Sequence, residues 1–525
     1  MPIGLIALLA VLLPLVFEAV RTIAGGGRHV ALWGDNPLLE LAARDTLRGH
    51  NLLGPYSRFG WHHPGPAYFL WLALPVWLLG PSGPGLFLGA TLLNLAASAA
   101  GVALVWRRVG VAAAAWSAAC LALFFVCLTP DFLRQPWNPF VVVLPLVLLL
   151  LLCADAAAGH AGSWLWALVV GSFAIQTHVS TLPVVVVVIG AAGLIWIGRW
   201  RSGRSGRSGR AGRAGLTIRG GRWSRAAASA LFVLLWLPPL IDAAKNRPSN
   251  LTLMWRFFTA PQPHHSLADA ARASVATATI LPFGADPFAV QQARSHLELV
   301  LGAVGLLVLG LVVVAVGVRR RQWEGAALGA GGLAALGVGI LATTRVVDSP
   351  IYSYLVIWQS FVPVTMLIGL GIVVFGGRRG RWLRPAELGL LGLAVAMAGW
   401  ATVRDAEAPA SWQLANADVA ATALAIEHQL GPGERTVRIT IVSHDTWPTA
   451  AGIALELERA GRRTTVANTS GIWTVLFGSR RATTGREQAD VELYLTSDGP
   501  AAAAAQGQPV ATAGTTVVLL RHLSP

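Results

Sequence analysis

Apolar runs long enough to span lipid limit this chain more than any other feature. Ile3–Ile23, Gly85–Trp106 and Leu297–Val318 each reach the roughly 20 residues that a bilayer core requires. With 54% hydrophobic and only 12% charged residues in 525 positions, the chain falls outside soluble domains and reads as a polytopic α-helical membrane protein. The formal charge of +15 would suggest nucleic acid in a soluble chain. Here the arginines gather in a few short loops, which is how membrane orientation is written, so nucleic-acid binding is excluded. Cys120, Cys127 and Cys153 sit inside apolar runs without metal or disulfide spacing and read as small core residues. Lys245 is the only lysine among many arginines, alanines and glycines, a bias that points to GC-rich coding DNA and a bacterial source.

Ile3–Ile23 lacks a basic start and a cleavage site, so it is read as an uncleaved helix with its N-terminus inside. Glu18 and Arg21, three apart near its outer end, read as a mutual pair. The piece Pro66–Leu79 is short and carries Trp71, Pro75 and Trp77, which suits a helix lying at the interface. Gly85–Trp106 then runs inward, and every arginine cluster falls on one side: Arg107–Arg108, the low-complexity loop Arg199–Arg225, Arg319–Arg321 and RRGRWLR at 378–384. The remaining spans are Ala112–Leu128, Phe140–Cys153, Trp164–Thr177, Leu182–Ile197, Ala226–Ile241, Gly325–Ala342, Leu355–Phe375 and Leu388–Val403, making eleven. From Arg404 the texture turns to alternating helix-like and strand-like segments, a small α/β domain outside the cytoplasm. The expected division is therefore a transmembrane domain over 1–403 with its first outer loop at 24–84, the Arg/Gly/Ser-rich loop 199–225, and an extracytoplasmic α/β domain over 404–525.

The polar segments able to react all fall opposite the arginine-rich loops. Residues 33–66 carry Asp35, Glu40, Asp45, Arg58, His62 and His63 interleaved with Trp33, Tyr56, Phe59 and Trp61. Thr129–Pro139 carries Asp131, Arg134 and Asn138, and a long loop from Asp242 to His296 carries Asn250, Arg256, His264, His265 and ILPFGADPF. Arg345 and Asp348 lie in a further short loop. A transporter would instead hold ionisable groups at mid-membrane in broken helices, so charges confined to one face argue for surface chemistry on a lipid-linked molecule. Ser443, His444 and Asp445 are adjacent along one segment, where alternate residues face opposite ways, and so cannot align as nucleophile, base and orienter.

GDNPLLELAARDTLRG with Asp35, HHPGPAYFLW with His63 and Pro64, the turn WRRVG, and TPDFLRQPWNPF with Asp131, Arg134 and Asn138 together resemble the C-type glycosyltransferase superfamily. That superfamily includes protein O-mannosyltransferases, aminoarabinose transferases and actinobacterial arabinosyltransferases. The resemblance covers about the first 240 residues in pattern and the rest in general plan. It implies transfer of a sugar, with inversion, from a polyprenyl-phosphate donor to a hydroxyl of a glycan, lipid or protein acceptor on the outer face.

The same resemblance implies Asp35 as the general base, since a carboxylate must take the acceptor proton. Arg58, Arg134, Arg256 and Arg345 are the arginines able to grip the departing phosphate. His62 and His63 join the binding set, as do Glu40, Asp131 and Asn138. Members of the family often carry a second acidic residue where this chain has Asn138, so no metal is expected there unless Asp131 substitutes, and no cofactor is assigned. Each residue has a plainer reading: Asp35 as an N-cap, Glu40 and Asp45 as a solvated helix face partnered by Arg44 and Arg48, Arg134 as a headgroup anchor, His178 as an interfacial histidine. Two other functions compete, a transporter or flippase of lipid-linked envelope precursors and a non-catalytic scaffold binding wall polymers through its tail.

Overall fold

The computed structural model describes residues 2–25, 28–80, 83–128, 131–205, 222–279, 295–377, 384–483, 488–498 and 507–523. The centre of the arginine-rich loop, ILPFGADPF, most of RRGRWLR and the pair Thr129–Pro130 lie outside the described residues. All eleven expected spans fall on helices. Among the described residues nine of these helices are long and apolar enough to cross a membrane. The other two, Val111–Cys127 and Gly162–Thr177, run 17 and 16 residues. Ala67–Leu78, at 12 residues, is about 18 Å long and too short to cross.

The chain divides into two compact units. The first comprises Met1–Glu18, Thr91–Leu237 and Ala260–Ala408 and is a helical bundle. In it Val111–Cys127 packs along Arg384–Glu407, and Trp323–Thr343 packs against both His296–Arg320 and Phe361–Phe375. With no hydrophobic effect between helices in lipid, close backbone approach must supply the packing. Gly329 accordingly lies so near Gly310 that a Cβ there would stand 2.9 Å from the Gly310 carbonyl oxygen. Leu297, Leu301, Leu311 and Leu388 project outward, as side chains facing lipid should.

The second unit comprises Ala19–Ala90, Pro238–Thr259 and Pro409–Pro525. Its first elements are helix α1 (Asp35–Leu47), the strands β1 (Tyr56–Ser57) and β2 (Trp61–His62), and helix α2 (Asn250–Thr259). The tail adds α3 (Ala417–Gln429), β3 (Thr436–Ile441), α4 (Trp447–Arg459), β4 (Arg463–Ala467), α5 (Ile472–Phe477), β5 (Ala482–Thr483), β6 (Val491–Thr496), β7 (Gln508–Ala513) and β8 (Thr516–His522). The sheet order is β5-β4-β3-β6-β8-β7, parallel from β5 to β6 and antiparallel beyond. Val437, Ile439, Leu457, Val466, Leu493 and Leu519 form its buried interior. The tail strands and helices expected from the alternating pattern are present. Ser443 bonds Thr496 and Asp498, while Asp445 accepts from Ser497 and His444 lies against Trp473, so no triad forms.

Candidate functional site

Asp35 opens α1, with Gly34 as the N-cap and no side-chain capping bond. Its carboxylate is therefore not spent on the helix end, as the capping reading expected, and accepts a hydrogen bond from the Tyr56 hydroxyl. The first-turn position also sets it against the positive end of the helix dipole. Burial raises its pKa above the ordinary carboxylate value, and the Tyr56 bond pulls the other way with smaller effect.

Tyr56 is presented by a hairpin that the segment YSRFGWH encodes. Tyr56 pairs with His62 and Ser57 with Trp61 around a three-residue turn. Gly60 closes the turn at φ 85°, a conformation that glycine adopts without strain. Cross-strand partners share a face, so Tyr56 and His62 project together on the side of Asp35. The alternate residue Trp61 packs against Phe257 and Phe258 of α2 at 5.5 and 5.6 Å. At the tip Phe59 stacks on Phe257 at 4.8 Å, and the Arg58 guanidinium lies 5.1 Å from the Phe59 ring. Arg58 and Arg256 are both exposed.

His62 is fixed more firmly than its sequence context suggests. Asn250 accepts from the His62 backbone N–H at 2.7 Å and donates to its carbonyl at 2.8 Å. The Asn250 backbone in turn donates to buried Asp242 at 2.9 Å. The His62 ring sets Nδ1 3.1 Å from the Gly54 carbonyl, which only accepts, so Nδ1 carries the proton and Nε2 is left as an acceptor. Burial lowers the pKa of His62 to about 4, against the Gly54 bond and the Asp242 charge, so the ring is neutral at ordinary pH. His63 is buried, edge-on to Trp61 at 5.6 Å.

Glu40 and Asp45 do not solvate an outer helix face. Glu40 is 1% exposed, pairing with Arg44 at 2.7 Å and with Arg459 of α4 at 2.6 Å. Asp45 takes Arg481 at 2.6 Å and Arg480 at 2.8 Å. Both carboxylates thus bind α1 to the tail fold, and Glu40 is engaged in structure where the sequence offered it as a substrate contact.

The other candidates belong to the first unit. Arg134 is 2% exposed and reaches neither water nor headgroups: it donates to Glu18 at 3.1 Å and, through Nε and Nη2, to the single oxygen Oδ1 of Asp131. A guanidinium already shared by two carboxylates has little left for a phosphate. Asn138 is buried and donates to the Thr177 carbonyl at 3.0 Å. Among the described residues no group of three or more His, Cys, Asp or Glu side chains gathers as metal ligands. His178 follows Thr177 and takes a 2.5 Å bond with Ser180. Arg345 is exposed and meets His264 at 3.2 Å, while His265 bonds the Asp348 carbonyl at 2.7 Å.

Of the residues singled out in the sequence, the structure therefore groups Asp35 with His62 through the hairpin, and Asp131 with Arg134. Tyr56, Asp242 and Asn250 complete the first group without having been assigned a role. Only the hairpin-like YSRFGWH offered a signal, for Tyr56; nothing in the sequence ties position 62 to position 250.

The structure is a polytopic helical membrane fold with an α/β tail, and Asp35 stands on the segment that follows its first long apolar helix. A solved structure with this fold is ArnT from Cupriavidus metallidurans bound to undecaprenyl phosphate, which aligns at a TM-score of 0.56 over 98% of this chain and 97% of that one, at 13% identity. No family model matches the chain, and comparison with curated proteins finds no match.

Proposed function

We propose that the protein is a membrane glycosyltransferase that moves a sugar from a polyprenyl-phosphate donor to an acceptor hydroxyl, with inversion, at the outer face of the cytoplasmic membrane. The observation that carries this reading is the fold, which follows over nearly its whole length that of a protein crystallised with undecaprenyl phosphate. The chemistry available at Asp35 agrees. An acceptor hydroxyl must lose a proton as its oxygen attacks the anomeric carbon, and a carboxylate with a raised pKa is better matched to that task than an ordinary one. The bond from the anomeric carbon to the phosphate oxygen breaks in the same step, and the electron pair leaves with the polyprenyl phosphate. Arg58 and Arg256, exposed in the unit that holds Asp35, are suited to the charge that develops on that phosphate. In this reading the α/β tail from residue 404 onward is extracytoplasmic, and the acceptor is a glycan, lipid or protein of the cell envelope.

The test is reconstitution in vesicles with a panel of polyprenyl-phosphate-linked hexoses and pentoses, scoring new glycosidic bonds. Asp35→Asn should reduce transfer by about 10²- to 10⁴-fold, the range for a general base, with unchanged thermal stability. Full activity in that variant would remove Asp35 from the chemistry, and movement of carrier across the bilayer without a new bond would overturn the enzyme reading.

A further inference from the structure

The elements around Asp35 bring a small set of groups to Tyr56 and to the segment before α1. On β1 Asp35 meets Tyr56, with His62 beside that residue on β2. At the start of α4, Trp447 lies edge-on to Tyr56 with ring centroids 6.4 Å apart, and Thr449 accepts from Trp33. One turn and a half along α1, Glu40 is turned away to Arg44 and Arg459. Asp242 acts on His62, and that ring is neutral above about pH 4. The Tyr56 hydroxyl is thus the donor that the Asp35 carboxylate has in this set, and it comes from a strand of only two residues.

So short a hairpin is marginal in water and needs outside support to hold a side chain in one place. Asn250 gives that support. Its carboxamide closes both a donor and an acceptor bond on the backbone of His62, the direct partner of Tyr56, and its own N–H is anchored on Asp242. Phe257, seven residues further along α2, is stacked on Phe59 at the hairpin tip. The connection runs without a gap from Asp242 through Asn250, His62 and Tyr56 to Asp35.

We propose that Tyr56 is a positioning residue of this site, its phenol holding the Asp35 carboxylate in one orientation, and that Asn250 holds the hairpin that presents it. The assignment rests on Asp35 being the base for its effect on rate, but not for its effect on the carboxyl group itself. A hydrogen bond to the charged form favours that form, so losing the phenol leaves burial less opposed and moves the titration of Asp35 to higher pH. Below that titration the carboxylate is protonated and cannot accept a proton, so the acid limb of the kcat/KM profile moves to higher pH with it.

The experiment compares wild type, Tyr56→Phe, Asn250→Ala and Asp35→Asn, each full length and in vesicles. Two readouts are taken: the infrared band of ¹³C-labelled aspartate that disappears in Asp35→Asn, followed with pH, and the pH dependence of kcat/KM. Tyr56→Phe is expected to move the Asp35 band to higher pH and to lower kcat/KM about tenfold at neutral pH, partly recovered at higher pH, as for one hydrogen bond to a charged group. Asn250→Ala keeps the phenol and should move the band the same way by less. If the band moves and the rate profile does not, the positioning role stands and Asp35 is not the base. A band that stays in place in both variants overturns the positioning role, whatever the rate does.

Discussion

Glu40 and Arg459 stand 419 positions apart in sequence, yet their carboxylate and guanidinium meet at 2.6 Å with almost no exposure on either side. Arg459 also pairs with Glu456 at 2.6 Å and donates to the Val30 carbonyl at 2.8 Å. One turn and a half along α1, Asp45 repeats the arrangement with Arg481, which is itself held by Glu458 at 2.6 Å. Both arginines keep their charge, because the neighbouring carboxylates outweigh the effect of burial and raise their pKa. The helix that begins with Asp35 is therefore seated on the tail fold by two buried ionic clusters. Within this unit the tail is part of the scaffold of the site.

Removing one member of such a cluster leaves charge without compensation in the interior. Arg459→Met takes from two buried carboxylates the guanidinium they share, leaving Glu40 to Arg44 and Glu456 to His29, and is expected to cost about 3–5 kcal/mol. Glu40→Gln leaves Arg459 its bond to Glu456 and should cost less, about 1–3 kcal/mol. Thermal unfolding of the detergent-solubilised protein measures both, and equal losses would contradict the arrangement.

The arginines separate into two kinds that a substitution series can distinguish. Arg58→Ala and Arg256→Ala remove exposed guanidinium groups and should leave stability within about 0.5 kcal/mol while raising the KM for the lipid-linked donor. Arg134→Ala takes the guanidinium from buried Glu18 and half-exposed Asp131 and, through the buried Glu18 carboxylate, should cost about 3–5 kcal/mol. A change in donor KM from Arg134→Ala with no loss of stability would reassign it to binding.

The membrane architecture was legible because lipid imposes its length and polarity on each helix separately, so each apolar run declares itself. The tail pattern was legible for the same local reason, since VRITIVS and DVELYLT alternate and AAGIALELERA has helical period. β5 and β7 were not: one is two residues long, and QPVATA is a largely exposed edge strand containing Pro509. At the site, Asp35 was legible as a carboxylate with a helix behind it. Glu40 and Arg134 have near partners in Arg44 and Asp131, but their other partners and that of Asp45 lie 419, 116 and 436 residues away, and no local rule connects such pairs. A charged residue in an outer loop reads as solvated until the fold brings its counter-ion.

His62 makes stability depend on pH in a predictable direction. Its folded pKa of about 4 lies below the ordinary value near 6.5, so between these the unfolded chain binds more protons. Acidification through that window therefore destabilises the fold, and the loss is complete below about pH 4. His160 acts oppositely, its pKa raised by the hydrogen bond to Asp155, adding stability below its unfolded value that is lost as pH rises. In His62→Gln the fall in Tm from pH 6.5 to 4 should be shallower than in wild type. An unchanged slope would mean that the ring is protonated in the folded protein.

The approach of α4 to the segment before Asp35 gives the sharpest steric prediction. At Gly452 an added Cβ would stand 2.6 Å from the Leu32 carbonyl oxygen and 2.8 Å from a Val419 methyl. Val419 is fully buried on α3 with its second methyl at 3.2 Å, so rotation gives no relief, and the carbonyl is backbone and must be displaced. Alanine favours helix by about 1 kcal/mol over glycine, so on propensity alone Gly452→Ala would stabilise α4. Overpacking against backbone costs about 1–3 kcal/mol and should win. The displaced segment carries Leu32, Trp33 and Gly34 directly into Asp35, so transfer activity should fall along with Tm, while Gly461→Ala just past α4 meets no neighbour but is strained by its φ of 88°, and should lower Tm and leave activity unchanged. A stabilised and fully active Gly452→Ala would mean that α4 and the strand of chain leading to Asp35 are not in contact at this distance.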